Sequence, residues 1–129
     1  VFFYKRAQIF AADVWGALGG AGLGDLPDLA DLTTFADYRV PQLLRAEGAL
    51  RLSPELAARI DARDELPAGG AEEVEIRAAT VAAVEAVRDA LAALGRPMTA
   101  VELDWRLWHR AESIRDRLPA HHRVRTVAY

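Results

Sequence analysis

The stretch Thr33-Thr34-Phe35-Ala36-Asp37-Tyr38-Arg39-Val40-Pro41-Gln42 decides how this chain folds, because it separates two apolar stretches of helical periodicity. Pro41 suits the first turn of a helix. Asp31 or Thr33 can cap a shorter helix that runs through Tyr38. The sequence therefore predicts two short helices joined by a bend inside this stretch.

The same stretch mixes an acid, a phenol, a guanidinium and an amide within a few residues. A solvated loop does not need the two rings of Phe35 and Tyr38. An apolar core disfavours the charges of Asp37 and Arg39. Such mixtures occur where a pocket holds a flat, polar ligand. We therefore expect a ligand pocket at the bend.

The spacing of apolar residues predicts helices along the rest of the chain. They cover residues 2–18, 41–47, 54–63, 71–94 and 100–116, and an extended tail covers 121–129. Two starts carry strong signals, Ser53-Pro54-Glu55 and a capping box of Thr99 and Glu102. Leu, Ala, Glu and Arg dominate, and stretches rich in Val, Ile and Thr are absent. These features favour helix, so the predicted fold class is all-α.

Two of the predicted helices have apolar residues at spacings of three and four, which predicts their buried faces. On helix 2–18 the predicted buried stripe is Phe3, Ala7, Phe10, Val14 and Leu18, with Lys5, Gln8 and Trp15 on a different face. On helix 71–94 the residues predicted to point inward are Val74, Val81, Val84, Val87, Leu91 and Leu94.

Composition excludes several classes of function. The chain has 129 residues, enough for one domain, and its 16 basic and 19 acidic residues give a net charge of −3. That balance makes binding of long nucleic acid by charge alone a poor expectation. The lack of cysteine excludes disulfides, thiolate catalysis and cysteine-bound metals. No apolar run reaches the length of a membrane span, and the first residues lack a signal-peptide pattern, so we expect a cytoplasmic protein.

Several motifs, taken in order, resemble the queuosine salvage family. They are Tyr4-Lys5-Arg6-Ala7-Gln8-Ile9, the eight residues 35–42, Glu73-Val74-Glu75-Ile76-Arg77, Asp104 followed by Leu107-Trp108, His122-Arg123 and Tyr129. The match over 35–42 is the specific one. The resemblance spans essentially the whole chain, but the family's chains are longer. It therefore implies that residues 1–129 form the C-terminal portion of a single helical domain, similar in architecture to helix-hairpin-helix-type DNA glycosylases.

The resemblance implies an activity without a cofactor, the hydrolysis of queuosine 5′-monophosphate to release the base queuine for reuse in transfer RNA. Breaking a ribosyl C–N bond passes through an oxocarbenium-like transition state, which a carboxylate beneath the sugar stabilises. Queuine is a 7-deazaguanine and has carbon where purine enzymes protonate nitrogen. The departing base must therefore be stabilised by hydrogen bonds along its edge, and a second acid suits that task.

The resemblance implies Asp37 and Asp104 as catalytic residues, each with the alternative of a buried ion pair, for example with Arg39 or Arg77. Asp104 and Trp108, four residues apart, are expected on one helical face. The residues expected to bind the nucleotide and its phosphate are Lys5, Arg6, Phe35, Tyr38, Arg39, Glu75, Trp105, Trp108, His122 and Arg123.

Plainer interpretations of these residues stay open. Glu75 can pair with an arginine of a neighbouring helix, and tryptophans at helical spacing usually belong to the core. The basic run 121–125 can be a solvated terminus. His121 and His122 point in opposite directions on an extended segment and lack an obvious third ligand, so no metal site is predicted.

Two other functions compete with the nucleotide hydrolase. One is a non-catalytic helical module that binds a nucleoside or a protein partner. The other is a DNA or RNA base glycosylase, which the acidic charge balance disfavours. The sequence does not predict the oligomeric state.

Overall fold

The computed structural model describes residues 2–128, and most of their regular structure is helical. The α-helices are α1 (Lys5–Leu18), α2 (Arg39–Ala46), α3 (Pro54–Asp61), α4 (Ala71–Ala93) and α5 (Ala100–Ser113). Short 3-10 turns cover Gly22–Gly24, Pro27–Asp31 and Arg115–Arg117, and the two-residue strands β1 (Glu65–Leu66) and β2 (Arg123–Val124) pair in parallel. The predicted all-α class is confirmed, and the likeness to DNA glycosylases stays a prediction.

Two helix starts form as their capping signals predict. The Ser53 hydroxyl accepts a hydrogen bond from the Leu56 N–H at 3.2 Å. At α5, Thr99 and Glu102 form the reciprocal capping box. Each cap satisfies backbone donors that the first helical turn leaves without partners.

The start of α2 differs from the prediction. Residues 33–38 are not helical, so the predicted cap at Asp31 or Thr33 is wrong. Asp37 takes that place, because its Oδ1 accepts hydrogen bonds from the N–H groups of Arg39 at 2.8 Å and Val40 at 3.3 Å. The Thr33 N–H instead donates to Gln8 Oε1 of α1 at 2.9 Å. The chain between the two helices is therefore an extended segment tied to α1.

Helix α1 buries a different face from the predicted stripe. Ala12 is fully buried, whereas Phe10 is 71% exposed and Leu18 is 47% exposed. The partly buried Ile9 and Trp15 pack inward with Ala12. The prediction failed because α1 has apolar residues on two sides, and periodicity does not say which side meets the core.

Helix α4 turns a partly polar face inward. The residues buried on it are Glu73, Ile76, Arg77, Thr80 and Val84. Val84 was predicted correctly, but Leu94 is 75% exposed. Val87 and Leu91 are partly buried and pack against the core around Val84, so the buried face of α4 ends before Leu94.

Three apolar clusters hold the elements around the 32–38 segment. Val40, Leu44, Leu50, Val84 and Leu103 join α2, α4 and α5. Ala12, Leu29, Phe35 and Val101 join α1, the segment and α5, and Leu56, Ile60, Leu66 and Ile76 join α3, β1 and α4. The tail is tied down through β2 and through the Gln42 amide, which donates to the Pro119 carbonyl at 2.6 Å. No helix within residues 2–128 is long and apolar enough to cross a bilayer.

Candidate active site

Asp37 lies where the extended segment meets α2, and Lys5 approaches it from the first turn of α1. The Lys5 Nζ and Asp37 Oδ2 atoms are 3.8 Å apart, and the two side chains are 13% and 9% exposed. The other carboxylate oxygen, Oδ1, accepts the two N–H groups that begin α2. A helix N-terminus and an ammonium both favour a negative charge, so this carboxylate is supported from two sides.

Asp104 reaches the same segment from α5 and is 3% exposed. Its Oδ1 accepts hydrogen bonds from the Thr34 hydroxyl and, at 2.8 Å, from the Phe35 N–H. Burial raises the pKa of Asp104 to about 6, and the nearby charge of Asp37 adds to the rise, while the two hydrogen bonds and the charge of Lys5 oppose it. Asp104 thus anchors the segment with a carboxyl group that is half protonated in mildly acidic solution.

Arg77 and Glu73 approach the segment from α4 as a buried ion pair. Arg77 Nη1 lies 2.9 Å from Glu73 Oε1, with side-chain exposures of 5% and 4%. Arg77 Nε donates to the Ala36 carbonyl at 3.0 Å. The guanidinium carbon also lies 4.4 Å from the centre of the Phe3 ring. This pair therefore contacts the residue before Asp37 and the chain leading to Lys5.

His122, from the tail, is 4% exposed. Burial lowers the pKa of His122 to about 4; the charges of His121 and Arg77 lower it as well, whereas that of Glu73 raises it. The imidazole is therefore neutral near pH 7. Within residues 2–128, no group of three or more His, Asp or Glu side chains is arranged to hold a metal ion.

Open cavities lie on the Lys5 side of this cluster. One, of about 270 Å³, is lined by residues including Phe3, Lys5, Arg6 and Arg77. Another, of about 640 Å³, is lined by Lys5, Arg6, Ile9, Phe10, Asp13, Thr126 and Val127. Lys5 therefore faces the open cavities and also contacts the buried carboxylate of Asp37.

The structure brings together three of the predicted site residues, Lys5, Asp37 and Asp104. His122 lies beside the Glu73–Arg77 pair instead. Arg6 lines the cavity wall next to Lys5, where it donates to the Val127 carbonyl at 3.4 Å. Asp37 forms a buried ion pair, as the alternative interpretation of this residue expected, and its partner is Lys5.

Other predicted residues of the central stretch are placed differently. Phe35 is 4% exposed and packs in the core with Ala12 and Val101, so its ring does not face a cavity. Tyr38 stacks on His121 with the ring centres 4.7 Å apart. The Arg39 side chain pairs with Glu112 of α5 and donates to Gln42 Oε1 at 2.8 Å.

The remaining predicted residues lie away from the two aspartates. Glu75 is exposed and lines a groove with Arg51 and Ser53. Trp105 packs near Trp15, with the ring centres 6.1 Å apart. Trp108 is 39% exposed, whereas Asp104 is 3% exposed. Arg123 donates to the Arg63 carbonyl at 3.2 Å, and Tyr129 lies outside the described residues.

Sequence reasoning missed Glu73 and Thr34, and considered Arg77 only as an alternative partner of an aspartate. The signal for the α4 pair was present, because Glu73, Ile76, Arg77, Thr80 and Val84 recur at helical spacing. The valines and leucines of this helix were instead predicted as its buried face, which left out Glu73 and Arg77. A charged pair four residues apart can satisfy itself inside a core, which is what the structure shows.

These features define a class: an all-helical protein with a lysine, two aspartates and a buried arginine around one extended segment. A family model described as "Queuosine salvage protein" matches residues 1–129. The chain belongs to this family.

Curated relatives agree with the family match. The chain is 50% identical over 129 residues to a Dictyostelium discoideum protein, and 50% identical over 133 residues to one from Sphaerobacter thermophilus. It is 40% identical over 138 residues to a Mus musculus protein. Each is named queuosine 5′-phosphate N-glycosylase/hydrolase, and each match covers 100% of this chain. The chain spans about 40% of the length of these relatives.

Proposed function

We propose that this chain carries the central part of the active site of a queuosine 5′-phosphate N-glycosylase/hydrolase. The observation that carries the proposal is the contact between Lys5 and Asp37, which lies beside open cavities and within motifs shared with the family. The names of the relatives supply the substrate, and the geometry supports a carboxylate-based reaction.

In this proposal the Oδ2 atom of Asp37 faces the ribose. Its negative charge stabilises the oxocarbenium-like transition state and orients the water that attacks the sugar. Lys5 holds this oxygen in place. Lys5 and Arg6 also line the cavities, where their cations suit the 5′-phosphate. The bond from ribose to the base breaks, and water supplies a hydroxyl to the sugar and a proton to the base.

We assign Asp104 a supporting role. Its Oδ1 is occupied by Thr34 and Phe35, so it holds the segment that carries Asp37. The departing 7-deazaguanine then needs donors and acceptors along its edge from other groups around the cavities. Both aspartates were expected to be catalytic, and the sequence left open which of them faces the sugar; this proposal gives that place to Asp37.

We also propose that the chain forms the C-terminal portion of a larger helical domain. Phe10 and Leu18 leave an apolar stripe of α1 exposed, and Leu23 beyond it is 88% exposed. The relatives have more than twice the length of this chain. The additional polypeptide of the longer relatives is the occupant we assign to this stripe. The test is made in the full-length Sphaerobacter thermophilus relative, by placing Gln at the two positions equivalent to Phe10 and Leu18. We expect this change to lower the melting temperature of that protein. An unchanged melting temperature would contradict the assignment.

The experiment is a mass-spectrometric assay of queuine release from queuosine 5′-monophosphate. It compares this chain with its Asp37→Asn variant, with the full-length Sphaerobacter thermophilus relative as a positive control. Asp61→Asn is the matched control, because Asp61 is a surface acid paired with Arg45. We expect Asp37→Asn to abolish release and Asp61→Asn to leave it unchanged. Release that survives Asp37→Asn would contradict the proposal.

The same assay separates the competing functions. If the positive control releases queuine and the folded chain does not, calorimetry with the nucleotide tests for a binding module without catalysis. The proposed partner is a mononucleotide and not a long nucleic acid, so salt-dependent binding to duplex would instead favour a nucleic-acid glycosylase. Sedimentation would give the oligomeric state. The cytoplasm stays the predicted compartment, which fractionation of cells tests.

A further inference from the structure

Arg77 contacts both chain segments that carry the Lys5–Asp37 pair. Its Nε donates to the carbonyl of Ala36, the residue immediately before Asp37, at 3.0 Å. Its guanidinium carbon lies 4.4 Å from the centre of the ring of Phe3, two residues before Lys5. The Arg77 side chain therefore contacts one residue near Lys5 and one residue next to Asp37. The Lys5 Nζ and Asp37 Oδ2 atoms are 3.8 Å apart.

We propose that Arg77, held by Glu73, is a positioning residue that sets the approach of the Lys5 ammonium to the Asp37 carboxylate. We call the Glu73–Arg77 pair the clamp. Its Arg77 side chain contacts the Ala36 carbonyl and the Phe3 ring, on the chain segments that carry Asp37 and Lys5. The geometric claim stands without the proposed activity. Its importance for catalysis rests on the proposed function.

The chemistry of the clamp requires an arginine. A guanidinium is planar and offers donors in a fixed fork, so Nη1 can bind Glu73 while Nε binds a carbonyl and the face lies on a ring. A lysine at position 77 retains the charge but cannot make these contacts at once. Because the pair is buried, Glu73 fixes the guanidinium with an ion pair that water does not screen.

The same region offers a matched control. Arg59 of α3 pairs with Glu72, the residue next to Glu73 on α4, but both side chains are partly open to solvent, at 41% and 37% exposure. A change at Arg59 removes an arginine–glutamate pair from α4 without touching Ala36 or Phe3. Comparing Arg77→Gln with Arg59→Gln therefore separates positioning from the general loss of an ion pair.

Lys5 is the only lysine of the chain, which allows a direct measurement. Labelling with lysine that carries carbon-13 at Cε gives a single side-chain resonance. The chemical shift of this resonance reports the surroundings of the Lys5 ammonium. Asp37→Asn provides the reference for a Lys5 that has lost its partner, and the assay needs no substrate.

We expect Arg77→Gln and Glu73→Gln to move the Lys5 resonance toward the Asp37→Asn reference, and Arg59→Gln to leave it unchanged; none of these changes adds a second lysine. Circular dichroism establishes that each variant is folded. Phe3→Leu, which removes only the ring that contacts Arg77, is the second variant if the buried substitutions prevent folding, and it should move the resonance in the same direction. A folded Arg77→Gln or Phe3→Leu protein with the wild-type Lys5 resonance would overturn the clamp, and so would an equal change in Arg59→Gln.

The assay of queuine release adds a kinetic test of the same clamp. Arg77→Lys should lower kcat by about 10- to 100-fold with little change in KM, because small misplacements of a reacting group are costly. If the wild-type chain releases no queuine, the NMR result alone judges the clamp. An active wild type with an unchanged kcat in Arg77→Lys would overturn the clamp's catalytic importance.

Discussion

The surroundings of Asp37 and of Asp104 differ although both carboxyl groups are buried, at 6% and 3% exposure. Asp37 meets an ammonium and the first N–H groups of α2. Asp104 accepts hydrogen bonds from a hydroxyl and one backbone N–H, both uncharged, and its pKa rises to about 6 because burial outweighs them. Similar burial therefore goes with different partners: Asp37 contacts a cation, whereas the hydrogen-bond donors of Asp104 are uncharged.

The largest expected effect comes from exchanging each carboxylate for its amide. Asp37→Asn should lower queuine release by about 10²- to 10⁴-fold, because the amide loses the charge that faces the sugar. Its fold should survive, since asparagine caps helices as well as aspartate does. Asp104→Asn should reduce release by less than about 10-fold, because its Oδ1 can still accept from Thr34 and Phe35. A larger loss in Asp104→Asn than in Asp37→Asn would reverse the assignment.

The pH dependence of stability tests the environment of Asp104. Its folded pKa of about 6 exceeds the unfolded value of 3.8, so its contribution to stability is complete below 3.8 and is lost as pH rises through 6. At about 1.4 kcal/mol per pKa unit, the loss is about 3 kcal/mol. His122 opposes this loss over nearly the same range of pH, so Asp104→Asn should make the stability rise with pH between 4 and 6. Urea unfolding at pH 4, 5, 6 and 7 measures it, and a pH profile that matches wild type would contradict the raised pKa.

His122 gives the mirror-image prediction. Its folded pKa of about 4 lies below the unfolded value of 6.5, so its contribution is complete above 6.5 and is lost as pH falls through 4. The expected size is again about 3 kcal/mol. In His122→Gln the opposing effect of Asp104 remains, and stability should fall as pH rises from 4 to 6. The charges that face His122 are those of His121, Glu73 and Arg77. A pH profile of this variant that matches the wild type would contradict the lowered pKa of His122.

The same contrast explains what could be predicted from the sequence. Capping signals act within one helical turn, so the starts of α3 and α5 were predictable from Ser53 and Thr99. The buried face of α1 was not, because Ala12 and Phe10 are both apolar and only tertiary packing chooses between them.

The candidate site divides in the same way. Lys5, Asp37 and Asp104 lie in motifs that mark them in the sequence. The burial of Glu73 and Arg77 was ambiguous in the sequence, because their helical spacing suits a charged pair that faces either solvent or a core. The side of α4 that becomes buried depends on contact with Ala36, which lies 41 residues before Arg77 in the chain.

The smallest expected effect tests the uncharged donors of Asp104. Thr34→Val keeps the shape of a residue that is 1% exposed and removes the hydroxyl that donates to Asp104. That hydrogen bond lowers the pKa of Asp104, so its loss should raise the pKa further. Stability should fall by about 1–2 kcal/mol at pH 7, where the carboxylate is charged, and by less at pH 4.

Thr33→Val is the control for that measurement, since the Thr33 hydroxyl bonds Gln8 and the Thr34 carbonyl and not a titrating group. Its effect on stability should be the same at pH 4 and pH 7. If Thr34→Val also shows no dependence on pH, the hydroxyl does not respond to the charge of Asp104. A donor that stabilises both protonation states equally cannot shift a pKa. The difference between the surroundings of Asp104 and Asp37 would then depend on burial and on the Phe35 N–H, and not on the Thr34 hydroxyl.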